Sequence, residues 1–315
     1  MKVLEDLLQD ATAGDPVSGL KWTAKTSRTV STQLKQRGFP VGPDTARRLL
    51  VQQGYVLRAN RKRLNKRSDP DRDRQMRYVA RQRRAFQKAG FPVVSVDAKQ
   101  RELIGNFKNP GRTWRRNRVD VLESDYRGDA EGVAIPYGIY DLARNQGFVV
   151  VGASHQTPEF AVAAIRTWWL QVGRRDYRDQ KQLLIEADCG GANGNRCWLW
   201  KWGLQHLADE SGLTITVTHL PTSASKWNPI EHRLFCHIER NWAGQPLVNY
   251  ETVVKFIGTT RTETGLRCRA HLDPTGYETG VKITAEQKAQ VNLKPHRVLP
   301  RWNYTIEPHK VARQK

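Results

Sequence analysis

The chain has 315 residues and a mass of 36.1 kDa, enough to bury one large core together with a smaller module. Its formal net charge is +21 and its pI is about 10.1, which favours a polyanionic partner, because Lys and Arg neutralise phosphates and release condensed counterions. No apolar run reaches about 18 residues and no signal peptide opens the sequence, so a membrane-spanning or secreted protein is not expected. The composition therefore predicts a soluble, intracellular protein.

Four widely spaced cysteines fit reduced thiols in a cytosolic protein. A zinc site is the alternative, because Cys189 and Cys197 could join His232 and Cys236, which are four residues apart and so share one helix face. No C-x-x-C pair supports this alternative, and isolated thiols are the preferred interpretation.

The first 57 residues are predicted to form a small helical module. Residues 1–10 place their apolar side chains on one helical face. Two further helices are expected at 26–36 and 44–53, separated by a turn that begins and ends with glycine. This spacing is typical of a helix-turn-helix, and we predict such a module over residues 1–57.

The second helix of this module carries the predicted DNA-reading residues. Ala46, Leu49 and Leu50 should face the core, which leaves polar side chains outward near the helix N-terminus, where a recognition helix enters the major groove. These outward residues are Thr45, Arg47 and Arg48. An ordinary helical hairpin with solvated arginines is the alternative.

Residues 58–89 are predicted to form a basic linker followed by a helix from about residue 71. Twelve Lys or Arg residues and three Asp residues lie between positions 58 and 84. Such a run is often only a solvated face, but between a DNA-reading module and a catalytic domain it favours phosphate contacts. The residues predicted to make them are Arg61, Lys62 and Arg63.

From residue 90 the periodicity changes from helical to strand-like. Three short apolar runs separated by Gly and Asn turns predict an antiparallel meander, and two further strands then alternate with helices. The predicted strands are 91–98, 132–142, 147–154, 182–188 and 213–220. We therefore predict an α/β domain over 90–315, a mixed sheet flanked by helices. This order is the one expected of a ribonuclease H-like core, with the ends of its first and fourth strands side by side.

Three carboxylates are predicted to meet in this domain. Asp97 ends the first strand, Asp188 ends the fourth and precedes a glycine-rich turn, and Glu231 lies in the first turn of a later helix. Mg²⁺ and Mn²⁺ prefer carboxylate oxygens, and two such ions about 4 Å apart can stabilise the attacking and leaving oxygens of phosphoryl transfer. The pattern predicts a two-ion site for cutting and joining DNA.

Other acids compete for these roles. Glu186 lies on the same strand face as Asp188, and three acids of the loop after the first strand could bind metal there instead: Asp120, Glu123 and Asp125. Asp188 is preferred because its strand ends there and the following glycines let the backbone turn away.

The loop after the first strand is basic and aromatic. Phe107 and Trp114 alternate with arginines that are predicted to contact DNA: Arg112, Arg115 and Arg116. Basic groups beside aromatic rings suit strand ends splayed from a duplex, while a solvated hairpin is the alternative. Near the C-terminus, Trp302 and Tyr304 are expected to pack rather than to take part in chemistry.

Four segments resemble the Rhodopirellula-type DDE transposases of bacterial insertion sequences, which are related to the mariner-like transposases. They are VDAKQRELIGNFKNPGRTW, ADCGGANGNRCWLW, HLPTSASKWNPIEHRLFCHIERNWAG and RWNYTIEP, and the resemblance runs from about residue 13 to 309. It implies that Asp97, Asp188 and Glu231 form the catalytic triad, with Asp97 shared by two Mg²⁺ or Mn²⁺ ions. Water would cut the element's end, and the released 3′ hydroxyl would then attack target DNA.

The resemblance also implies the partners. Double-stranded DNA is expected, both as terminal inverted repeats and as target, together with a homodimer and a cytoplasmic, nucleoid-associated location. Relatives carry a further helix-turn-helix ahead of residue 1, so a truncated copy, a misassigned start and a short member all stay open. The alternatives to a transposase are a non-catalytic DNA-binding protein or repressor derived from one, and a nucleic-acid chaperone.

Overall fold

A computed structural model describes residues 2–9, 12–14, 21–23, 25–58, 69–222 and 224–310. The chain divides into two compact units, residues 1–64 and 65–315. The predicted basic linker is largely outside the described residues, and so are Arg61, Lys62 and Arg63. The three-part division at residues 57 and 89 stays a prediction. Within the described ranges, no helix is both long and apolar enough to cross a lipid bilayer.

The described residues of the first unit form three helices and a short hairpin. The helices are α1 (Lys2–Gln9), α2 (Ser27–Gln36) and α3 (Pro43–Gln52), and the hairpin pairs β1 (Thr12–Gly14) with β2 (Lys21–Thr23). Thr26 caps α2 by accepting a hydrogen bond from the backbone N–H of Thr29, and Pro43 begins α3, where no N–H is needed.

The core of this unit follows the predicted helical periodicity. The buried side chains are Leu4, Leu7, Leu8, Val30, Leu34 and Ala46, with Leu49 and Leu50 partly buried against them. The three predicted helices and the inward face of α3 are confirmed. The hairpin was not predicted, because three-residue strands are too short to show a periodicity.

The second unit is built around a nine-stranded mixed sheet. Its strands are β3 (Val93–Ala98), β4 (Glu102–Ile104), β5 (Gly132–Asp141), β6 (Gln146–Gly152), β7 (Gln182–Ala187), β8 (Thr214–His219), β9 (Arg267–Asp273), β10 (Leu293–Pro295) and β11 (Asn303–Ile306). The order is β10-β11-β8-β7-β3-β5-β6-β9, and β4 pairs with β5.

The strand directions agree with the predicted ribonuclease H-like core. β3, β5 and β6 form an antiparallel meander, while β7 lies parallel to β3 and β8 lies parallel to β7. The five predicted strands are therefore confirmed, with the first and fourth adjacent. β9 and β11 extend the two edges of this core, and β10 pairs with β11.

Helices cover both faces of the sheet. They are α4 (Arg72–Lys88), α5 (Pro158–Trp168), α6 (Arg174–Asp176), α7 (Trp198–Ser211), α8 (Cys236–Asn241), α9 (Tyr250–Gly258) and α10 (Ala285–Ala289). One π-helical segment, Trp169–Gly173, joins α5 to α6, and another, Glu231–Phe235, leads into α8. The larger core lies between the sheet and helices α5 and α7, and a second core lies under α8 and α9.

Two glycines set the distance between the sheet and the helix that carries Glu231. A Cβ atom on Gly138 would lie 2.6 Å from the Phe235 ring and 2.8 Å from the end of Ile230, and one on Gly147 would collide with Leu234. Real Cβ atoms do not approach so closely, so only glycine lets this helix pack directly on β5 and β6. Gly138 pairs with Asp97 in the sheet, which places the helix beside that aspartate.

Candidate active site

Asp97 and Asp188 lie side by side at one edge of the sheet. Val96 pairs with Ala187 across the parallel strands β3 and β7, so the next residue along each chain is an aspartate. Asp97 is the fifth residue of β3, and Asp188 follows the last residue of β7. Val96 and Ala187, which precede the two aspartates, point into the larger core. Because successive side chains alternate between the two faces of a strand, Asp97 and Asp188 face away from that core.

Glu231 approaches this edge of the sheet from a helical segment that packs on β5 and β6. It begins the π-helical segment that leads into α8, and Ile230 and Phe235 anchor this segment on Gly138. Burial is the largest cause of the raised pKa of Asp97, and the charges of Asp188 and Glu231 add to it. The structure places Asp97 and Asp188 at adjacent strand ends and Glu231 on a helical segment packed against β5, while their role as one catalytic site stays a prediction.

The two aspartates are held by neutral hydrogen-bond donors. Asp97 accepts from the backbone N–H of Ala98 at Oδ1 and from the Asn228 side chain at Oδ2, each at 2.8 Å. Asp188 accepts from the Asn193 side chain at 3.2 Å. Within the described residues, none of the three carboxylates forms an ion pair with Lys, Arg or His.

Burial and mutual repulsion make this cluster electrostatically unfavourable without a cation. Burial, followed by the charges of Asp188 and Glu231, raises the pKa of Asp97 to about 8. Burial likewise raises the pKa of Asp188 and of Glu231. Lys99, which partly offsets the shift at Glu231, is already paired with Glu102 at 2.6 Å and Glu239 at 3.4 Å.

This donor set fits hard divalent cations. Carboxylate oxygens are what Mg²⁺ and Mn²⁺ bind, and a cation would offset the repulsion that raises the pKa of Asp97. Across the described residues, no three His, Cys, Asp or Glu side chains converge closely enough to hold one ion between them. An ion at this edge would not need three protein ligands, since Mg²⁺ keeps several waters and substrate oxygens as ligands.

A buried chain of hydrogen bonds fixes the backbone at Asp188, and no pattern in the sequence predicted it. His219 ends β8 and contacts the carbonyl oxygen of Asp188 through Nδ1 at 2.7 Å and the Tyr304 hydroxyl through Nε2 at 3.2 Å. Trp200 donates its indole N–H to the same hydroxyl at 3.0 Å. Because a carbonyl only accepts, His219 is protonated on Nδ1, and Tyr304 donates to its Nε2. Every member is then satisfied.

His219 should make the stability of the protein pH-dependent. Burial lowers the pKa of His219 from 6.5 to about 4, so its contribution is complete above pH 6.5 and is lost as the pH falls through 4. We expect it to account for up to about 3 kcal/mol of unfolding free energy across that interval. Urea unfolding in EDTA at pH 4 to 7.5 measures this, and His219→Gln should flatten the curve.

The exposed His155 provides the control, since His155→Gln should leave the pH dependence unchanged. An equal loss of stability with falling pH in wild type and His219→Gln would contradict the assignment.

The competing acids are placed differently from the triad. Glu186 is fully buried, but Arg83 from α4 holds both of its oxygens, at 2.8 Å from Nε and 2.5 Å from Nη2, so this carboxylate is not free for a metal. The three loop acids are exposed to solvent and belong to no such cluster: Asp120, Glu123 and Asp125.

The zinc alternative is not supported. The Cys189 thiol donates to the carbonyl of Leu220 at 3.0 Å, and the Cys236 thiol donates to the carbonyl of His232 at 3.1 Å. A structural zinc site closes on four such side chains, whereas the described residues contain no group of even three.

The predicted DNA-contacting residues that the structure describes are mostly at the surface. In the first unit, Arg47 and Arg48 are exposed and Thr45 is half-buried. In the second unit, the loop between β4 and β5 exposes the three arginines that were predicted to contact DNA: Arg112, Arg115 and Arg116. Their role in binding DNA stays a prediction.

One expectation about this loop is wrong. Phe107 is only 6% exposed and packs under Gly105, so it offers no ring for a base to stack on, whereas Trp114 is fully exposed. Arg115 is bound to its own chain, because it donates to the carbonyl of Gly244 and to the Thr113 hydroxyl. The base of the loop is thus fixed on the 242–247 segment.

Comparison with known proteins shows which structures and which family this chain resembles. Among solved structures, the chain is similar to the Mos1 mariner paired-end complex with Mn (14% identity, 81% of this chain and 68% of that chain, TM-score 0.45). It is similar to a pre-cleavage Mos1 transpososome (14%, 81% and 68%, TM-score 0.44) and to the Mos1 transposase paired-end complex with the left transposon end (13%, 81% and 69%, TM-score 0.43). Curated proteins gave no significant match.

These similarities are low, whereas the family described as the Rhodopirellula transposase DDE domain matches residues 3–308, nearly the whole chain. The mixed sheet flanked by helices agrees with that match. The chain therefore belongs to the Rhodopirellula family of DDE transposases.

Proposed function

We propose that this transposase cuts DNA at the ends of its element and joins the cut ends to target DNA at the site formed by Asp97, Asp188 and Glu231. The observation that carries the proposal is a group of three partly buried carboxylates that form no ion pair among the described residues, in a chain of net charge +21. Repulsion from Asp188 and Glu231 adds to the raised pKa of Asp97, and a bound divalent cation would offset that repulsion.

Two Mg²⁺ or Mn²⁺ ions would occupy this site, where they would supply charge neutralisation at the phosphate and help to ionise water or a 3′ hydroxyl. Asp97, at the centre of the cluster, would share both ions, while Asp188 and Glu231 would each hold one. The protein's part is positioning: strand ends fix the aspartates, and a helix packed on Gly138 and Gly147 fixes the glutamate. No nucleophilic side chain is required, because water and the 3′ hydroxyl do the attacking.

The DNA substrate would be held by basic side chains in both units. Thr45, Arg47 and Arg48 would contact the terminal inverted repeat, and Arg61, Lys62 and Arg63 would contact its phosphates. The exposed loop of the second unit would contact the cut end through Arg112, Arg115 and Arg116. A homodimer would bring two element ends together, on nucleoid DNA in the cytoplasm.

Metal removal tests the activity and its substrate together. Wild-type protein with 5′-labelled duplex should nick an element-end sequence when Mg²⁺ is added, and EDTA should reduce the product to background. A duplex with a scrambled end should bind at low salt, because phosphate contacts are sequence-independent, but it should not be cut at a defined position. Binding without cutting of the element end at any Mg²⁺ or Mn²⁺ concentration would favour the non-catalytic repressor instead.

A further inference from the structure

Asn228 is a buried side chain that the proposed chemistry leaves unexplained. It is 0% exposed and lies three residues before Glu231, in the turn that leads into the glutamate's helix. In the sequence it appears only within the segment HLPTSASKWNPIEHRLFCHIERNWAG, with no role attached. A fully buried primary amide has four hydrogen-bonding positions to satisfy, so its partners show what it does.

The partners of Asn228 determine which way its amide points. The Ser95 hydroxyl, also fully buried, donates to Asn228 Oδ1 at 2.8 Å, and Asn228 Nδ2 donates to Asp97 Oδ2 at 2.8 Å. A flipped amide would set its carbonyl oxygen against the carboxylate and its NH₂ against a hydroxyl that could turn to accept. The Asp97 contact therefore favours the observed orientation, and Ser95 reinforces it.

The Asp97 carboxylate accepts a hydrogen bond at each oxygen and still has lone pairs available for a cation. Ala98 N–H occupies one lone pair of Asp97 Oδ1, and Asn228 occupies one of Oδ2, which leaves one on each oxygen. Both donors are neutral. An Arg or Lys at position 228 would neutralise Asp97 and compete with a divalent ion for it, whereas an amide orients the carboxylate without cancelling its charge.

Asn228 also connects two parts of the site that are far apart in the sequence. Ser95 and Asp97 belong to β3, while Asn228 precedes the segment that presents Glu231, so the amide joins the strand to the turn. A shift of this turn would move Glu231 and release Asp97 together. One side chain thus couples the positions of two of the three carboxylates.

We propose that Asn228, oriented by Ser95, is a positioning residue that fixes the Asp97 carboxylate for ion binding and ties it to the turn that carries Glu231. This inference rests on the proposed function, because it assumes that divalent ions bind at Asp97. Outer hydrogen-bond partners of metal ligands typically contribute about 10- to 100-fold to metal affinity. A merely structural asparagine would contribute to folding and nothing to metal affinity.

Mn²⁺ binding in the absence of DNA tests the proposal without relying on activity. Calorimetric titration of the full chain should show Mn²⁺ affinity about 10- to 100-fold weaker in Asn228→Ala than in wild type. Ser95→Ala should lose affinity in the same direction but to a smaller extent, since it leaves the Asp97 contact in place. Asn241→Ala is the matched control, because Asn241 is exposed and donates to the Phe256 carbonyl outside the site.

Nicking provides a second measurement. The defect of Asn228→Ala should be recovered at higher Mn²⁺ concentration, because mass action compensates for weaker affinity; far-UV circular dichroism without metal separates this from a folding defect. Equal Mn²⁺ affinity in wild type, Asn228→Ala and Ser95→Ala would overturn the inference and leave the proposed function standing. If Asn228→Ala does not fold, the Mn²⁺ affinity of Ser95→Ala alone tests the inference. Absence of Mn²⁺ binding by wild type would instead refute the metal site itself.

Discussion

Asparagine in place of Asp97 or Asp188, or glutamine in place of Glu231, is expected to slow nicking of an element-end duplex by about 1,000-fold or more, which corresponds to about 4 kcal/mol of transition-state stabilisation. Each substitution keeps the shape of the side chain and removes one negative charge. Since the charge is what holds the cation, the loss should fall on the chemical step. Single-turnover nicking in Mg²⁺ measures it.

DNA binding by these three variants should stay within a few-fold of wild type, because basic residues elsewhere supply the phosphate contacts. The loop acids provide matched controls: Asp120→Asn, Glu123→Gln and Asp125→Asn should each cut at a rate within about twofold of wild type, as exposed residues usually tolerate change. Triad variants that still cut, together with a loop variant that does not, would move the site into the loop.

Methionine in place of Arg83 is expected to destabilise the protein by about 3–5 kcal/mol, although Arg83 is outside the proposed site. Its guanidinium is the ion-pair partner of Glu186, whose side chain is 0% exposed. Removing the arginine leaves an unpaired carboxylate that is fully buried and whose pKa is already raised by burial. Guanidinium chloride unfolding of the full chain in EDTA measures the change.

The neighbouring Arg84 is exposed and supplies the control, since Arg84→Met should change stability by less than about 0.5 kcal/mol. Removing both charges with Arg83→Met and Glu186→Leu should recover much of the loss, because no unpaired charge then remains buried. If Arg83→Met unfolds at the same denaturant concentration as Arg84→Met, the buried pair does not contribute as described.

The long elements of this fold could be predicted because each carries its own periodicity. β3, β5, β6, β7 and β8 are apolar runs, and the helices between them have apolar faces. β10 and β11 could not be predicted, because a strand of three or four residues shows no period and becomes a strand only by pairing with an edge that already exists. The edge strand β9 is largely polar, since little of it is buried.

The same distinction between local patterns and distant contacts applies to the residues of the site. Asp97 and Asp188 were visible because each stands where an apolar run ends. Asn228, His219 and Arg83 were not, because their partners lie 131, 31 and 103 residues away in the chain, and no local pattern encodes a contact at such a distance. The available signal was weak: His219 is a polar residue at the end of a buried strand, and Asn228 lies three residues before Glu231.

The contacts of β11 indicate how a copy of this gene could lose function. The strand contributes Tyr304, whose hydroxyl supports His219 and through it the backbone of Asp188, and Asn303, which shares hydrogen bonds with Gln75 of α4. A stop codon introduced after Pro300 would spare all three carboxylates and both arginines of α3, Arg47 and Arg48. It would nevertheless leave β8 without its neighbour and His219 without its partner. A reading frame that retains the complete triad can thus already be a pseudogene.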